Sequence, residues 1–201
     1  MQLLNLFIYS KIYFYMYKLQ AGEALVLHNN NKLKNYIILD GCLLLSKYFT
    51  NNKIISIGLL SSKDIILPIF HNQFTTNYFY KAQALSITYL FSLANTSQQK
   101  FFKIIQPQYN NQRYYLLEIL AHRNAKQRLI HTFLILMKLY GTISNKKFEI
   151  NLNISYEILS SITGSNKNTI SILIQKLIKR EIIIYSKNKI IVNSIVDLIE
   201  F

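Results

Sequence analysis

Residues 154–183 read ISYEILSSITGSNKNTISILIQKLIKREII, and this stretch contains the signals for two short helices joined by a tight turn. Ser155 is a good N-cap for a helix over Tyr156–Thr163, because its hydroxyl can accept a free N–H of the first helical turn. The apolar residues of that helix fall on one side, and Gly164 supplies the turn that follows. The stretch therefore predicts a helix-turn-helix.

The second helix of this stretch, predicted over about Asn166–Arg180 with Ser165 as its cap, has two contrasting faces. Apolar residues recur on one face at helical spacing: Ile170, Leu173, Ile174, Leu177 and Ile178. The other face carries small polar groups near its beginning and lysines toward its end. A DNA-recognition helix needs this arrangement, because short polar groups reach base edges while lysine binds phosphate. The predicted DNA-binding positions are Ser165, Asn166, Lys167, Asn168, Thr169, Ser171, Ile172, Gln175, Lys176 and Lys179.

Two β-rich runs follow this helix and flank a basic turn. Ile182–Tyr185 and Ile190–Val192 predict a hairpin wing. Lys187 and Lys189, in the turn between the two runs, are further candidates for contacts with DNA. The same pattern also fits a small α+β packing module whose polar face is only solvated.

The charge of the chain favours a polyanionic partner. Its 201 residues include 23 basic and 9 acidic ones, for a formal net charge of +14, and such an excess steers a protein toward nucleic acid. Residues 1–112 and 113–201 each carry about half of this excess, so it is not confined to a tail. The basic residues are 19 Lys and only 4 Arg. Lys, Asn and Ile are what A/T-rich codons encode, and this composition predicts an A/T-rich genome such as that of a plastid, whose proteins act in the chloroplast stroma, or of an endosymbiont.

Several other classes of function lack the residues that they need. Cys42 is the only cysteine, which excludes a disulfide framework and a cysteine-rich zinc site. The four histidines, His28, His71, His122 and His131, show no metal-ligand spacing, so we predict no metal site. No Gly-rich phosphate loop, nucleophile elbow or paired carboxylates occur, and we predict that the chain is not an enzyme. The apolar run over residues 3–17 is short for a spanning helix, so no membrane partner is expected.

The remainder of the chain predicts an α+β fold in three parts. Residues 1–106 are predicted to form an all-β sandwich or barrel, because turn signals interrupt apolar runs such as Tyr36–Leu39 and Ile54–Leu60 at short intervals. Residues 107–124 contain a helix that Pro107 can open, followed by a hinge. Residues 125–201 begin with a helix over about Ala125–Tyr140, which Gly141 can cap, and continue into the helix-turn-helix.

The stretch ISYEILSSITGSNKNTISILIQKLIKREII resembles the Crp/Fnr family of bacterial regulators. The segments AGEALV and NYIILDGCLLL are similar to the family's β-roll, with Gly22 and Gly41 at its turn glycines, and LEILAHRNAKQRLIHTFLILMKLYG is similar to the linker and first helix of the family's cyanobacterial nitrogen regulators. The resemblance implies that residues 1–106 are a β-roll sensor domain, followed by a dimerisation helix and a C-terminal winged helix. It also implies a nitrogen-related homodimer that binds a pseudo-palindromic duplex, with RNA polymerase as a further partner.

The chain departs from the nitrogen regulators at their functional positions. Lys167 and Ile172 stand where those proteins have arginines, so the guanine contacts that the planar arginine fork makes are not carried over to these positions. The resemblance implies an effector pocket at Ile65, Ile66, Leu67, Tyr78 and Arg113. It also implies 2-oxoglutarate as the effector, but the residues at these positions do not match the family pattern. No cofactor is otherwise predicted.

Two other functions fit the sequence. One is a β-roll ligand sensor that acts through protein partners and whose DNA-binding helix has degraded. The other is an RNA-binding protein, which the net charge would also serve.

Overall fold

The computed structural model describes residues 14–27, 34–66, 77–94 and 111–201 of the chain. The described residues divide into two compact units. One unit comprises those up to Lys53 and from Leu59 to Asn111, and the other comprises Ile54–Gly58 and Gln112–Phe201. The structure is α+β, with strands in its first half and helices concentrated in its second, as the sequence predicts.

The first half of the chain forms two four-stranded sheets. Its strands are β1 Phe14–Leu19, β2 Ala24–Leu27, β3 Lys34–Asp40, β4 Leu43–Phe49, β5 Ile54–Leu60, β6 Ile65–Ile66, β7 Tyr78–Ala84 and β8 Thr88–Ala94. One sheet has the order β1-β8-β3-β6 and the other has the order β2-β7-β4-β5. Antiparallel pairing joins β8 to β1 and β3, β6 to β3, and β7 to β2 and β4. This architecture confirms the β-roll prediction.

Gly41 forms the tight turn between β3 and β4. Its φ is +99°, and a Cβ at this position would lie 2.5 Å from the carbonyl oxygen of Ile87. The next residue, Cys42, is buried, and its N–H donates to the Ser86 hydroxyl at 3.0 Å. Gly22, the other predicted turn glycine, also has a positive φ of 96°. Both glycines therefore occupy backbone conformations that other residues rarely adopt.

The second half of the chain contains five described helices and a sheet. The elements in chain order are α1 Asn111–Ala121, α2 Ala125–Tyr140, β9 Gly141–Ser144, β10 Lys147–Ile150, α3 Tyr156–Thr163, α4 Lys167–Lys179, β11 Ile183–Tyr185, β12 Ile190–Val192 and α5 Ile195–Glu200. The sheet order is β11-β12-β10-β9. The predicted helices over 125–140 and 156–163 and both wing strands are confirmed. Pro107 lies outside the described residues.

The structure corrects the sequence interpretation at two caps. Asn166, not Ser165, is the N-cap of α4, since its side chain accepts the N–H of Asn168 at 2.8 Å. Ser165 instead donates its hydroxyl to the carbonyl oxygen of Thr163. Gly141 does follow α2, but its backbone is extended rather than left-handed because it begins β9 directly.

The hairpin β9–β10 and helix α5 have no counterpart among the predicted elements. The hairpin turns at Asn145 and Lys146, whose φ angles are 49° and 63°. Positive φ at both central residues of a two-residue turn matches the twist of a hairpin. The hairpin also enlarges the wing sheet, because β10 pairs with β12 as well as with β9.

We predict that Gly41→Ala lowers the free energy of unfolding by about 2–4 kcal/mol, since the new Cβ would meet backbone atoms in a strained conformation. Urea denaturation followed by tyrosine fluorescence measures this change. A variant within about 0.5 kcal/mol of wild type, the usual range for neutral surface changes, would contradict the role given to Gly41.

Candidate nucleic-acid interface

Helix α4 is held by an apolar stripe on one of its faces. Ile170, Ile174 and Leu177 are fully buried, and each such side chain contributes about 1.5–3 kcal/mol through burial. Leu173 is half-buried, and Ile178, at the margin of the stripe, is 40% exposed. The inclusion of Ile178 in the buried face was therefore wrong, while the other four positions lie as predicted.

The predicted contact residues lie on the opposite face of α4, at the surface of the protein. The exposed ones are Asn166, Lys167, Asn168, Thr169, Ile172, Gln175, Lys176 and Lys179, while Ser165 and Ser171 are half-buried. Ile172 is 54% exposed, so core packing does not explain an isoleucine at this position. The structure thus presents an exposed face of polar and basic side chains around Ile172, and the major groove of duplex DNA is wide enough to admit such a helix.

Helix α3 and the turn after it set the position of this face. The Ser155 side chain accepts the N–H of Ile158, and Thr163 donates its hydroxyl to the carbonyl oxygen of Leu159. Gly164 then adopts the left-handed conformation with φ 57° and ψ 33°. The first turn of α3 is therefore capped, and the sharp turn at Gly164 is confirmed.

An ion pair joins the beginnings of α3 and α4. The ammonium group of Lys167 donates to Oε1 of Glu157. The side chains remain 54% and 63% exposed, respectively. The hydrogen bond from Lys167 lowers the pKa of Glu157, with a smaller contribution from a hydrogen bond to Ser155, so this carboxylate is ionised at neutral pH. The pair cannot be recognised in the sequence, because the two residues are ten positions apart and meet only once the turn has formed.

The wing is fastened to the start of α3 through two tyrosines. Tyr185 donates its hydroxyl to the carbonyl oxygen of Ile154 at 2.6 Å, and its ring stacks on Tyr156 with centroids 5.2 Å apart. Burial raises the pKa of Tyr185, so it keeps its proton and remains a donor. The hairpin therefore has a fixed place beside the helix-turn-helix.

The two predicted wing lysines lie in different environments. Lys187 is exposed and makes no ion pair with a described residue. Lys189 pairs with Glu149 of β10 at 2.8 Å. The positive charge that the wing offers to a phosphate is therefore concentrated on Lys187.

Basic residues also lie near the start of α2. Lys126 is exposed, and its ammonium lies 4.8 Å from the centre of the Phe201 ring. Arg128 is half-buried, and its side chain reaches Gly164. A Cβ added to Gly164 would lie 3.6 Å from one of the guanidinium nitrogens. Arg128 therefore lies behind the turn that precedes α4, where it adds positive charge to this side of the domain.

The residues assigned to an effector pocket are spread over two sheets. Ile65 and Ile66 form β6 and pair with Ile37 and Tyr36 of β3, and Ile66 is buried. Tyr78 begins β7, opposite Phe49 of β4. Leu67 lies outside the described residues, and Arg113 falls within α1. Of the predicted effector positions, Ile65 and Ile66 thus lie in one sheet and Tyr78 in the other.

Tyr78 has a cation beside it. The ammonium of Lys47 lies 3.5 Å from the centre of the Tyr78 ring, and the rings of Phe49 and Tyr80 are 5.0 and 5.8 Å away. Burial and the neighbouring Tyr78 raise the pKa of Tyr80. Tyr78, a predicted effector position, is itself uncharged. The positive charge beside it is that of Lys47, which belongs to β4.

Neither a metal site nor a membrane span is found in the described part of the chain. No three His, Cys, Asp or Glu side chains there are close enough to hold a metal ion. The ring centroids of His122 and His131 are 4.7 Å apart, and Oε2 of Glu118 lies 3.6 Å from Nε2 of His131. These three side chains do not form a metal site. No described helix is long and apolar enough to cross a membrane.

Comparison with known proteins places this geometry among transcription regulators. The chain is 31% identical over 189 residues to a Porphyra purpurea protein, ycf28, whose name assigns it to the HTH-type transcriptional regulators; the match covers 89% of this chain and 78% of the relative. It is 25% identical over 186 residues to the global nitrogen regulator of Synechococcus elongatus, covering 86% and 83% of the two chains. No family model matches the chain.

Solved structures support the fold. A CRP-family transcriptional regulator from Thermus thermophilus superposes with a TM-score of 0.74 at 12% sequence identity, covering 92% of this chain and 95% of that one. A mutant of CooA from Carboxydothermus hydrogenoformans superposes with a TM-score of 0.69 at 14% identity, covering 94% of this chain and 87% of that one. Both likenesses extend over the strands and the helices described above.

We predict that Tyr185→Phe lowers the free energy of unfolding by about 0.5–1.5 kcal/mol, the usual net value of one hydrogen bond. The matched control is Tyr156→Phe, which removes the hydroxyl of the other ring in the same stack, and it should be nearly neutral. Thermal unfolding of both variants measures the difference. Equal effects of the two substitutions would show that the bond to Ile154 does not hold the wing.

Proposed function

The chain belongs to the Crp/Fnr family of helix-turn-helix transcription regulators, and we propose that it acts as a homodimer on a pseudo-palindromic DNA duplex. Regulation of transcription through sequence-specific DNA binding is its function. The observation that carries this conclusion is the exposed polar and basic face of α4, set beside a wing that carries Lys187. A helix of this kind enters the major groove and reads base edges with its N-terminal residues.

Exposed leucines on α1 support the proposed dimer. Leu117 and Leu120 are 63% and 42% exposed, while Leu116 and Ile119 are buried. Residues three apart lie on the same side of a helix, so the two exposed leucines form an apolar strip. In a two-fold dimer the same strip on each subunit meets its copy, and the recognition helices would then lie about one DNA turn, roughly 34 Å, apart.

The proposed biological setting rests on composition and on relatives. The similarity to a global nitrogen regulator supports nitrogen-related target genes, and a regulator of this kind would act together with RNA polymerase. The A/T-rich codon signature supports the plastid stroma as its location. The names of the relatives favour DNA binding over a sensor that acts only through protein partners.

An effector that binds the β-roll is also proposed, and its chemistry depends on the charges near Tyr78. The resemblance implies 2-oxoglutarate, a dicarboxylate that needs cationic partners, yet Ile65, Ile66 and Tyr78 offer none. Lys47, whose ammonium lies 3.5 Å from the centre of the Tyr78 ring, is a cation beside that position. We propose that an anionic effector in this part of the roll would use Lys47 for its charge interaction.

Selection of bound duplexes from a random pool tests the function directly. We expect an inverted repeat whose half-sites are about 10 base pairs apart, because a dimer presents two α4 helices. Light scattering of the protein–DNA complex should show two 23.6 kDa chains for each duplex.

The affinity for DNA should fall steeply as the salt concentration rises, since each lysine–phosphate contact contributes about 0.9 to the slope of log K against log salt. A single half-site bound by a monomer would contradict the dimer, and a salt-independent affinity would contradict the phosphate contacts.

Substitutions along α4 test which residues read sequence. Asn168→Ala should cost about 1–3 kcal/mol on the selected site and relax its preference there, because asparagine pairs with adenine through two hydrogen bonds. Lys179→Ala should weaken all duplexes about equally, as expected for a phosphate contact. Ile172→Arg should raise affinity for the palindrome of nitrogen regulators without a packing cost, since Ile172 is exposed.

These three variants are measured on the selected duplex and on a scrambled one. If Asn168→Ala lowers both affinities equally while Ile172→Arg unfolds the domain, the face assigned to DNA is the wrong one.

A further inference from the structure

The exposed beginning of α4 holds a charge pair instead of a free cation. Lys167 is the first residue of α4, and Glu157 is the second residue of α3. Their side chains meet across the turn, and both remain more than half exposed. The pair therefore lies on the surface at the end of α4 that reads bases in a recognition helix.

The pair changes what Lys167 can do. A lysine is a flexible point charge with three N–H donors, whereas arginine presents a rigid planar fork that matches guanine. Glu157 accepts one of the three donors and limits the rotation of the long side chain. Two donors remain, and guanine offers two acceptors, O6 and N7, in the major groove.

The carboxylate lies in the first turn of α3. Ser155, the N-cap of that helix, adds to the effect of Lys167 in lowering the pKa of Glu157. Glu157 therefore stays ionised and attracts the Lys167 ammonium.

We propose that Glu157 is a positioning residue for DNA recognition, holding the Lys167 ammonium so that its two remaining N–H groups donate to O6 and N7 of one guanine. This inference rests on the proposed DNA-binding function and deepens it, because it assigns a base and two acceptor atoms to Lys167. The guanine specificity that a lone lysine would lack then comes from two residues on different helices.

The charge distribution along α4 favours this role over a phosphate contact by Lys167. A carboxylate beside the ammonium repels phosphate and cancels most of the attraction of the lysine. Lys176 and Lys179, near the other end of the helix, are exposed and make no ion pair with a described residue. The helix therefore keeps its uncompensated positive charge away from the end that reads bases.

The experiment compares Glu157→Gln with a matched control, Glu200→Gln. Glu200 is an exposed residue at the end of α5, so both variants lose one negative charge, but only the first loses the partner of Lys167. Each full-length protein is titrated with the selected duplex, with a scrambled duplex, and with selected duplexes that carry 7-deazaguanine at one guanine at a time. The modified base lacks the N7 acceptor and keeps its pairing.

We expect one guanine per half-site at which 7-deazaguanine weakens wild-type binding about fivefold or more, as loss of part of a two-bond contact should. Glu200→Gln should show the same loss. Glu157→Gln should show less than about a twofold loss, as should Lys167→Gln and the double variant, because the contact no longer exists in any of them. On the scrambled duplex, Glu157→Gln should steepen the salt dependence by about 0.9, since the freed lysine can reach a phosphate.

The inference is overturned if Glu157→Gln keeps the wild-type sensitivity to 7-deazaguanine, or if no guanine shows a sensitivity that depends on Lys167. Equal effects of Glu157→Gln and Glu200→Gln on all duplexes would also overturn it, because they would reflect net charge alone. Failure of the wild-type protein to bind any duplex is a different result, which rejects the proposed function itself.

Discussion

The rotational setting of α4 about its own axis is the constraint on which the rest of the DNA-binding half depends. Burial of Ile170, Ile174 and Leu177 fixes this setting, because a helix turns by about 100° per residue and its buried stripe determines which residues face outward. A rotation by one residue would expose this stripe and bury charged lysines without partners, which costs several kcal/mol. The residues offered to DNA are thus selected by the core and not by their own interactions.

The DNA-facing side of α4 has a defined position only if the start of the helix is held in place. Local hydrogen bonds hold it. Asn166 caps the first turn of α4, and the N–H of Ser165 donates to the carbonyl oxygen of Ser160 at 3.0 Å. Helix ends fray when their free N–H groups lack partners. Because the cap accepts the N–H of Asn168 and the preceding turn is bonded to α3, the first residues of α4 are held in place, which base reading needs more than phosphate contact does.

The sequence was sufficient for those features that depend on neighbouring residues. The boundaries of α3, the left-handed turn at Gly164 and the wing strands all follow from periodicity, capping and turn residues. The hairpin β9–β10 could not be predicted in this way, since its turn residues Asn145 and Lys146 are a weaker signal than Asn-Gly and its pairing with β12 is long-range. The contact between Glu157 and Lys167, and that between Glu149 and Lys189, depend on the same long-range packing.

These ion pairs determine which lysines can attract DNA, so the number of lysines in the sequence overstates the attraction. Lys167, Lys187 and Lys189 look alike in the sequence as basic candidates, yet the structure pairs the first and third with carboxylates and leaves Lys187 exposed. A paired lysine at the surface gives little long-range attraction, because its partner cancels its field beyond a few ångströms. It keeps its hydrogen-bond donors, however, and these act only at contact distance. The pairs therefore separate the two parts of recognition: exposed lysines such as Lys179 attract any duplex, while Lys167 can favour only a site that presents matching acceptors.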